Sequence, residues 1–267
     1  MDNRPIGVFD SGVGGLTVAR ELMHVLPNEE LVYFGDTARV PYGSKSRETV
    51  TRFSLQDVRF LLSKKVKAVV VACNTASANS LSAMQQAFSL PIFGVVEPGA
   101  AAGARATKNG RIGVIATSST IASGAYQQAI LKKNRGFAVL AKACPLFVPL
   151  AEEGWTEEEI TFLTAQKYLT ELKAQQVDTL VMGCTHYPLL RRCIQEVMGD
   201  DVTLIDPARE TSLLVKEALE EKQLLRQAET PPSHRFYVSD QTAMFESICR
   251  RALGEVHEAE KIEIESY

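Results

Sequence analysis

Short apolar runs, each ending on a small or polar residue, alternate along this chain with longer stretches whose apolar positions recur three and four residues apart. IGVFD, LVYFGD, AVVVACN and LPIFGVV read as buried strands, the last expected to run up to EPGA. Between them Leu16, Ala19, Met23 and Leu26 share one helical face that Pro27 closes, and Val50, Val58, Leu61 and Leu62 share another. TASANSLSAMQQAF predicts a third helix, while TARVPYGS is too rich in Pro and Gly to be regular. Strands that are apolar almost without interruption belong to parallel sheets covered by helices on both faces.

The plan then restarts. RIGVIATSST repeats the Ile-Gly-Val strand of PIGVFDSGVG, and DTLVMGCTH repeats the cysteine-bearing strand AVVVACNTA. Gly7 and Gly113 are 106 residues apart and Cys73 and Cys184 are 111 apart, the mark of an old duplication. FAVLAKAC reads as a further strand, and Phe162, Ala165, Leu169 and Leu172 share the face of a helix with acids at its start. Pro188 suits the first turn of a helix whose apolar face is Leu190, Cys193, Ile194 and Val197. The tail, helical ETSLLVKEALEEKQLL, strand HRFYVS and helix DQTAMFESICRRAL, has no counterpart and is expected to return to the first half. The pattern predicts an α/β protein of two pseudo-symmetric lobes, each a mainly parallel sheet flanked by helices, with the active site in the cleft between them. The lobes are expected to comprise residues 1–97 with 207–267, and residues 98–206.

Composition narrows the function. Hydrophobic residues at 45% and charged residues at 23% are globular proportions. A net charge of -3 and a pI near 5.9, with Lys and Arg scattered among acids, leave no electrostatic footprint for a nucleic acid. No apolar run reaches bilayer-spanning length, and MDNRPIG has an acid and a proline where a signal peptide needs an apolar core, so neither membrane nor export is expected and the location is read as cytoplasmic. Five cysteines without a CxxC pair fit reduced thiols.

A cysteine at the end of an apolar strand is by default a small core residue, and Cys144, Cys193 and Cys249 read that way. Cys73 and Cys184 differ because each precedes hydroxyl and amide side chains and an expected helix N-terminus, whose partial positive charge favours thiolate. DSGVGG matches neither the dinucleotide fingerprint nor a P-loop. It reads equally as a tight turn or as a loop that lets Ser11 and backbone amides approach a carboxylate. His186 is a proton partner for Cys184 or a satisfied loop residue, and the short Cys-Cys pairing of a metal site is missing. Asp10 is a partner for the other thiol or a helix cap, and Glu152, in PLAEEGW, is most simply a solvated turn. Two thiols flanking one carbon would invert it without redox change, one removing a proton and the other returning one.

DSGVGGLTV, GDTARVPYG, VVACNTA, GCTHYP and the intervening VVEPGA together resemble glutamate racemase, the cofactor-independent enzyme that supplies D-glutamate for peptidoglycan. The resemblance runs from Asp10 to the region of Asp206. It implies Cys73 and Cys184 as catalytic thiols with Asp10, Glu152 and His186 assisting proton transfer, and no metal. It also implies a glutamate site lined by Asp10, Ser11, Tyr42, Gly43, Asn74, Thr75, Thr185 and His186, and a homodimer. A racemase of another acidic amino acid such as aspartate, with side-chain length set around Tyr42 and Thr117, a two-lobed carboxylate-binding protein and a dithiol redox enzyme remain as alternatives.

Overall fold

The computed structural model describes residues 1–240 and 242–267 and holds two sheets whose strand pairs are all parallel. The strands are β1 (Ile6–Asp10), β2 (Leu31–Gly35), β3 (Ala68–Val71), β4 (Ile92–Gly94), β5 (Arg111–Ala116), β6 (Ala138–Ala143), β7 (Thr179–Gly183), β8 (Thr203–Ile205), β9 (Arg235–Val238) and β10 (Ala259–Lys261). The helices are α1 (Leu16–Val25), α2 (Arg47–Ser63), α3 (Asn74–Ala87), α4 (Val96–Ala106), α5 (Ser118–Ser123), α6 (Ala125–Lys133), α7 (Phe147–Glu153), α8 (Glu159–Ala174), α9 (Arg191–Met198), α10 (Pro207–Glu221) and α11 (Thr242–Leu253).

The larger sheet has the order β10-β9-β2-β1-β3-β4 and the smaller β6-β5-β7-β8. The run β2-β1-β3-β4 therefore reappears in the second sheet as β6-β5-β7-β8, the topology the repeated Ile-Gly-Val and cysteine strands imply. Residues alternate between two apolar layers, as period-two side chains must. Ile6 and Val8 of β1 pack with Leu16, Leu22, Val215 and Ile248 from α1, α10 and α11, while Phe9 packs with Val50, Val58, Leu61 and Ala76 from α2 and α3. The second sheet is likewise covered by α7, α8 and α9 on one face and by α4 and α6 on the other. β9 lies beside β2, so the tail strand joins the first sheet.

Two expected elements differ. The fourth strand stops at Gly94, and Glu97 and Pro98 lie in the first turn of α4 rather than beyond a strand end. An acid and a proline are both well suited to a first helical turn, where the amides are unpaired and the dipole is positive. Pro188 sits in a 3-10 turn, Tyr187–Leu190, and α9 begins only at Arg191. That turn is held by Tyr187 N–H on the Cys184 carbonyl at 3.2 Å and Leu189 N–H on that of His186 at 3.1 Å. The tail helix expected from Asp240 begins at Thr242, and Gln241 lies outside the described residues. Among the described residues no helix is long and apolar enough to cross a membrane.

Candidate active site

The carboxyl ends of β1, β3, β5 and β7 converge, as strand ends do at the ligand crevice of open parallel sheets. Just beyond them Ser11, Cys73, Thr117 and Cys184 face one cavity of about 350 Å³. The two thiols are equivalent in register. Gly7 lies beside Val69, four residues before Cys73, and Gly113 lies beside Leu180, four residues before Cys184. Insertions elsewhere account for the unequal chain offsets.

Cys73 is the N-cap of α3, its sulfur accepting the Ala76 N–H at 3.4 Å and lying 3.5 Å from Ser11 Oγ. The helix end alone would favour thiolate. Burial, and then the charge of Asp10, outweigh it and push the Cys73 thiol up to about 12. At neutral pH this cysteine is therefore a protonated thiol, contrary to the expectation from its capping position.

Cys184 does not cap an α-helix, because the 3-10 turn comes first. Its partner is His186, whose Nδ1 stands 3.8 Å from Sγ and whose Nε2 is 3.0 Å from Glu152 Oε1. Burial by itself would lower the imidazole. The hydrogen bonds to Cys184 and Glu152 outweigh it and hold His186 up to about 10, so the ring is a cation at neutral pH. Glu152 lies in the last turn of α7 with its carboxylate on His186, and is no solvated turn.

Asp10 is fully buried behind this surface and does not line the cavity. Its Oδ2 accepts the Gly12 N–H at 3.1 Å and its Oδ1 accepts the Thr185 hydroxyl at 3.4 Å, so it is tied to the Cys184 side while Ser11 is the direct neighbour of Cys73. Burial raises its carboxyl, against the pull of the His186 charge and the N–H groups of Gly15 and Gly12. The glycines of DSGVGG allow close packing rather than a left-handed backbone. A Cβ on Gly14 would stand 2.5 Å from Thr185 Oγ1 and 2.6 Å from His186 Nδ1.

Asn74, Thr75, Thr185 and His186 line the cavity, and so do Tyr42 and Gly43. Tyr42, however, sends its hydroxyl away to Asp36 and Asp57, so it is not a hydroxyl donor to a ligand. Thr75, Thr117 and Thr120 close a ring of hydroxyls at 2.9, 3.1 and 3.0 Å that joins the two sheets' loops. Asn74 Oδ1 accepts the Tyr126 hydroxyl at 2.6 Å across the same junction. Val40, Pro41, Ser44, Ser118, Pro145, Val148 and Pro149 complete the wall without having been singled out in the sequence. Their one signal was the pair of Pro-bearing loops after β2 and β6. Among the described residues no group of three or more His, Cys, Asp or Glu side chains is placed to hold a metal ion.

Residues 16–214 match the Asp/Glu/Hydantoin racemase family. The chain is 54% identical over 254 residues to the glutamate racemase of Geobacter metallireducens, covering 95% of this chain and 94% of that protein. Its structure is similar to that of a glutamate racemase from Francisella tularensis solved with D-glutamate, with a TM-score of 0.94, 41% identity and 100% of both chains covered. A Bacillus anthracis glutamate racemase is similar at TM-score 0.94 and 41% identity over 98% of both chains. With a match of this length and identity, the chain belongs to the Asp/Glu/Hydantoin racemase family, and within it stands with the glutamate racemases.

Proposed function

We propose that this protein interconverts L-glutamate and D-glutamate without a cofactor, Cys73 and Cys184 working on opposite faces of the substrate's α-carbon. The observation that carries the mechanism is the pair of register-equivalent thiols lining one cavity, each with a different proton partner. The substrate is supported by the similarity to glutamate racemases, one of them solved with D-glutamate bound. The product serves peptidoglycan synthesis, as the family implies.

In one direction a thiolate takes the α-proton and the opposing thiol gives its own to the other face; the next turnover in reverse swaps the roles. The α-proton of an amino acid is a poor acid, so donors must meet the charge that develops at the substrate carboxylate. The hydroxyls of Ser11, Thr75 and Thr185, with Asn74 and the N–H groups of Tyr42 and Gly43, are the candidates that line the cavity. His186, held by Glu152, supplies positive charge and a proton beside Cys184. Asp10 acts from behind through Thr185 and the His186 charge. We take residues 1–97 with 207–267 as one lobe and 98–206 as the other, the place of action as the cytoplasm, and the working form as a homodimer, the last as the family resemblance implies.

The test is incubation of pure protein with L-glutamate in heavy water, following optical rotation and α-deuterium together. Rotation should fall as deuterium enters, and Cys73→Ala and Cys184→Ala should each lower racemisation by about 10³-fold. Binding of glutamate with neither change would instead make this a carboxylate-binding protein.

A further inference from the structure

α2 carries a carboxyl group that the two-thiol scheme does not use. Asp57 lies on the helix's apolar face beside Val50, Ser54, Val58 and Leu61 and is wholly buried. It faces Asp36, from the end of β2, across Arg39 and Tyr42. Arg39 donates from Nε to Asp36 Oδ2 at 2.6 Å and from NH2 to Asp57 Oδ1 at 2.9 Å, and the Tyr42 hydroxyl touches Asp36 Oδ2 and lies 3.0 Å from Asp57 Oδ2. Ser239 closes the far side of Asp36 at 2.9 Å.

Two carboxyls thus share one guanidinium. Asp36 and Arg39 already balance in charge, so a second acid in this position is not needed to neutralise the cation and is costly to bury. The hydrogen count says what it does. A phenol has one proton to give, so both Tyr42 contacts are satisfied together only if one acid is protonated and donates back to the phenol oxygen. Burial raises both carboxyls, but Asp36 also takes Arg39 Nε and the Ser239 hydroxyl and so is the better-held anion, while its charge raises Asp57 further, which makes Asp57 that donor. Arg39 and Tyr42 bracket Val40 and Pro41, and Gly43 and Ser44 follow, all five residues from Val40 to Ser44 facing the cavity. Around them are only 3-10 turns, Thr37–Arg39 and Tyr42–Ser44, so side-chain anchors must hold this wall. Phe53 adds a platform, with the Arg39 guanidinium 4.2 Å from its ring centre.

We propose that Asp57 is a positioning residue of the substrate cavity, fixing through Tyr42 and Arg39 the Val40–Ser44 wall on which the substrate seats. The inference rests on the glutamate-racemase reading. Asp57→Leu should raise KM for both enantiomers by about tenfold with kcat changed by less than about threefold, since Asp57 touches no reacting atom. Asp57→Asn, whose amide can accept from Arg39 and donate to Tyr42, should restore KM to within about twofold of the parent protein. Tyr42→Phe should raise KM to a similar degree, and adding it to Asp57→Leu should bring no further rise, because both cut one chain of contacts. An unchanged KM in folded Asp57→Leu, or an Asn variant no better than Leu, would overturn the proposal. If the Leu variant does not fold, an unchanged KM in Tyr42→Phe overturns it. Calorimetric Kd values for glutamate separate the two readings: parent protein that binds without turnover sinks the racemase reading, and the same variant series is then read in Kd.

Discussion

His186 concentrates the chemistry at the residue scale, with a thiol on one ring nitrogen and a carboxylate on the other. Because both neighbours favour the cation, its proton stays until about pH 10 and is lost as pH rises through that value. Racemisation has an equilibrium constant of one at every pH, so kcat/KM must follow the same profile for L- and D-glutamate, and any asymmetry between the thiols can appear only in kcat and KM moving together. kcat/KM for either enantiomer should therefore fall on the alkaline side near pH 10, and His186→Gln should lower the rate and abolish that limb. A limb that persists unchanged in the variant would assign it to another group. The thiols themselves were legible in the sequence, since only a repeated Cys at a strand end sets Cys73 and Cys184 apart from Cys144, Cys193 and Cys249. Their protonation was not legible, because the helix-end argument knows nothing of the burial and the Asp10 charge that raise Cys73. Glu152 could not be placed by its local pattern either, since its partner is distant in the chain.

Among elements, the loop from Ser11 to Gly15 shows why glycine is required at a site without any unusual backbone angle. It passes so close to Thr185 and His186 that a single methyl group at Gly14 would overlap both. Gly14→Ala should therefore leave the fold intact, with far-UV dichroism unchanged, while lowering kcat/KM by about 10²-fold through displacement of the imidazole. Normal activity in a folded Gly14→Ala protein would show that the loop yields instead. DSGVGG thus adds packing across the junction of the two sheets to its turn, while Ser11 at its start faces the cavity. Strand ends were readable because apolar runs stop where polar side chains must emerge. Helix starts after β4 and β7 were not, since Val95 and Val96 continue the apolar pattern into α4, and Pro188 fits a 3-10 turn as well as an α-helix.

For the whole molecule, the return of the tail to the first sheet was readable only as a segment lacking a counterpart, and what fastens it lies in side chains far apart in sequence. At the amino end of β3, opposite the thiols, the fully buried Lys67 ammonium is 2.6 Å from Glu29 Oε2 and donates to the carbonyls of Asp2 at 2.8 Å and Leu224 at 2.7 Å. Glu29 Oε1 accepts the Arg226 N–H at 2.8 Å, and Arg226 reaches Thr230 and Glu30 in turn. One ion pair thus clamps the N-terminus, the loop before β2 and the segment after α10. Removing one partner of a buried pair strands the other's charge, a loss larger than the net worth of the intact pair. Lys67→Met should accordingly cost about 3–5 kcal/mol in urea unfolding. Lys67→Met with Glu29→Gln, which keeps an acceptor for Arg226 and removes the stranded charge, should recover most of it. Both proteins, assayed where they remain folded, should keep their kcat/KM, because the clamp and the cavity sit at opposite ends of the same strands. A single variant that loses less than about 1 kcal/mol, or a double variant no more stable than the single, would mean that the tail is held by its apolar face on α1 and β2 rather than by this charge pair.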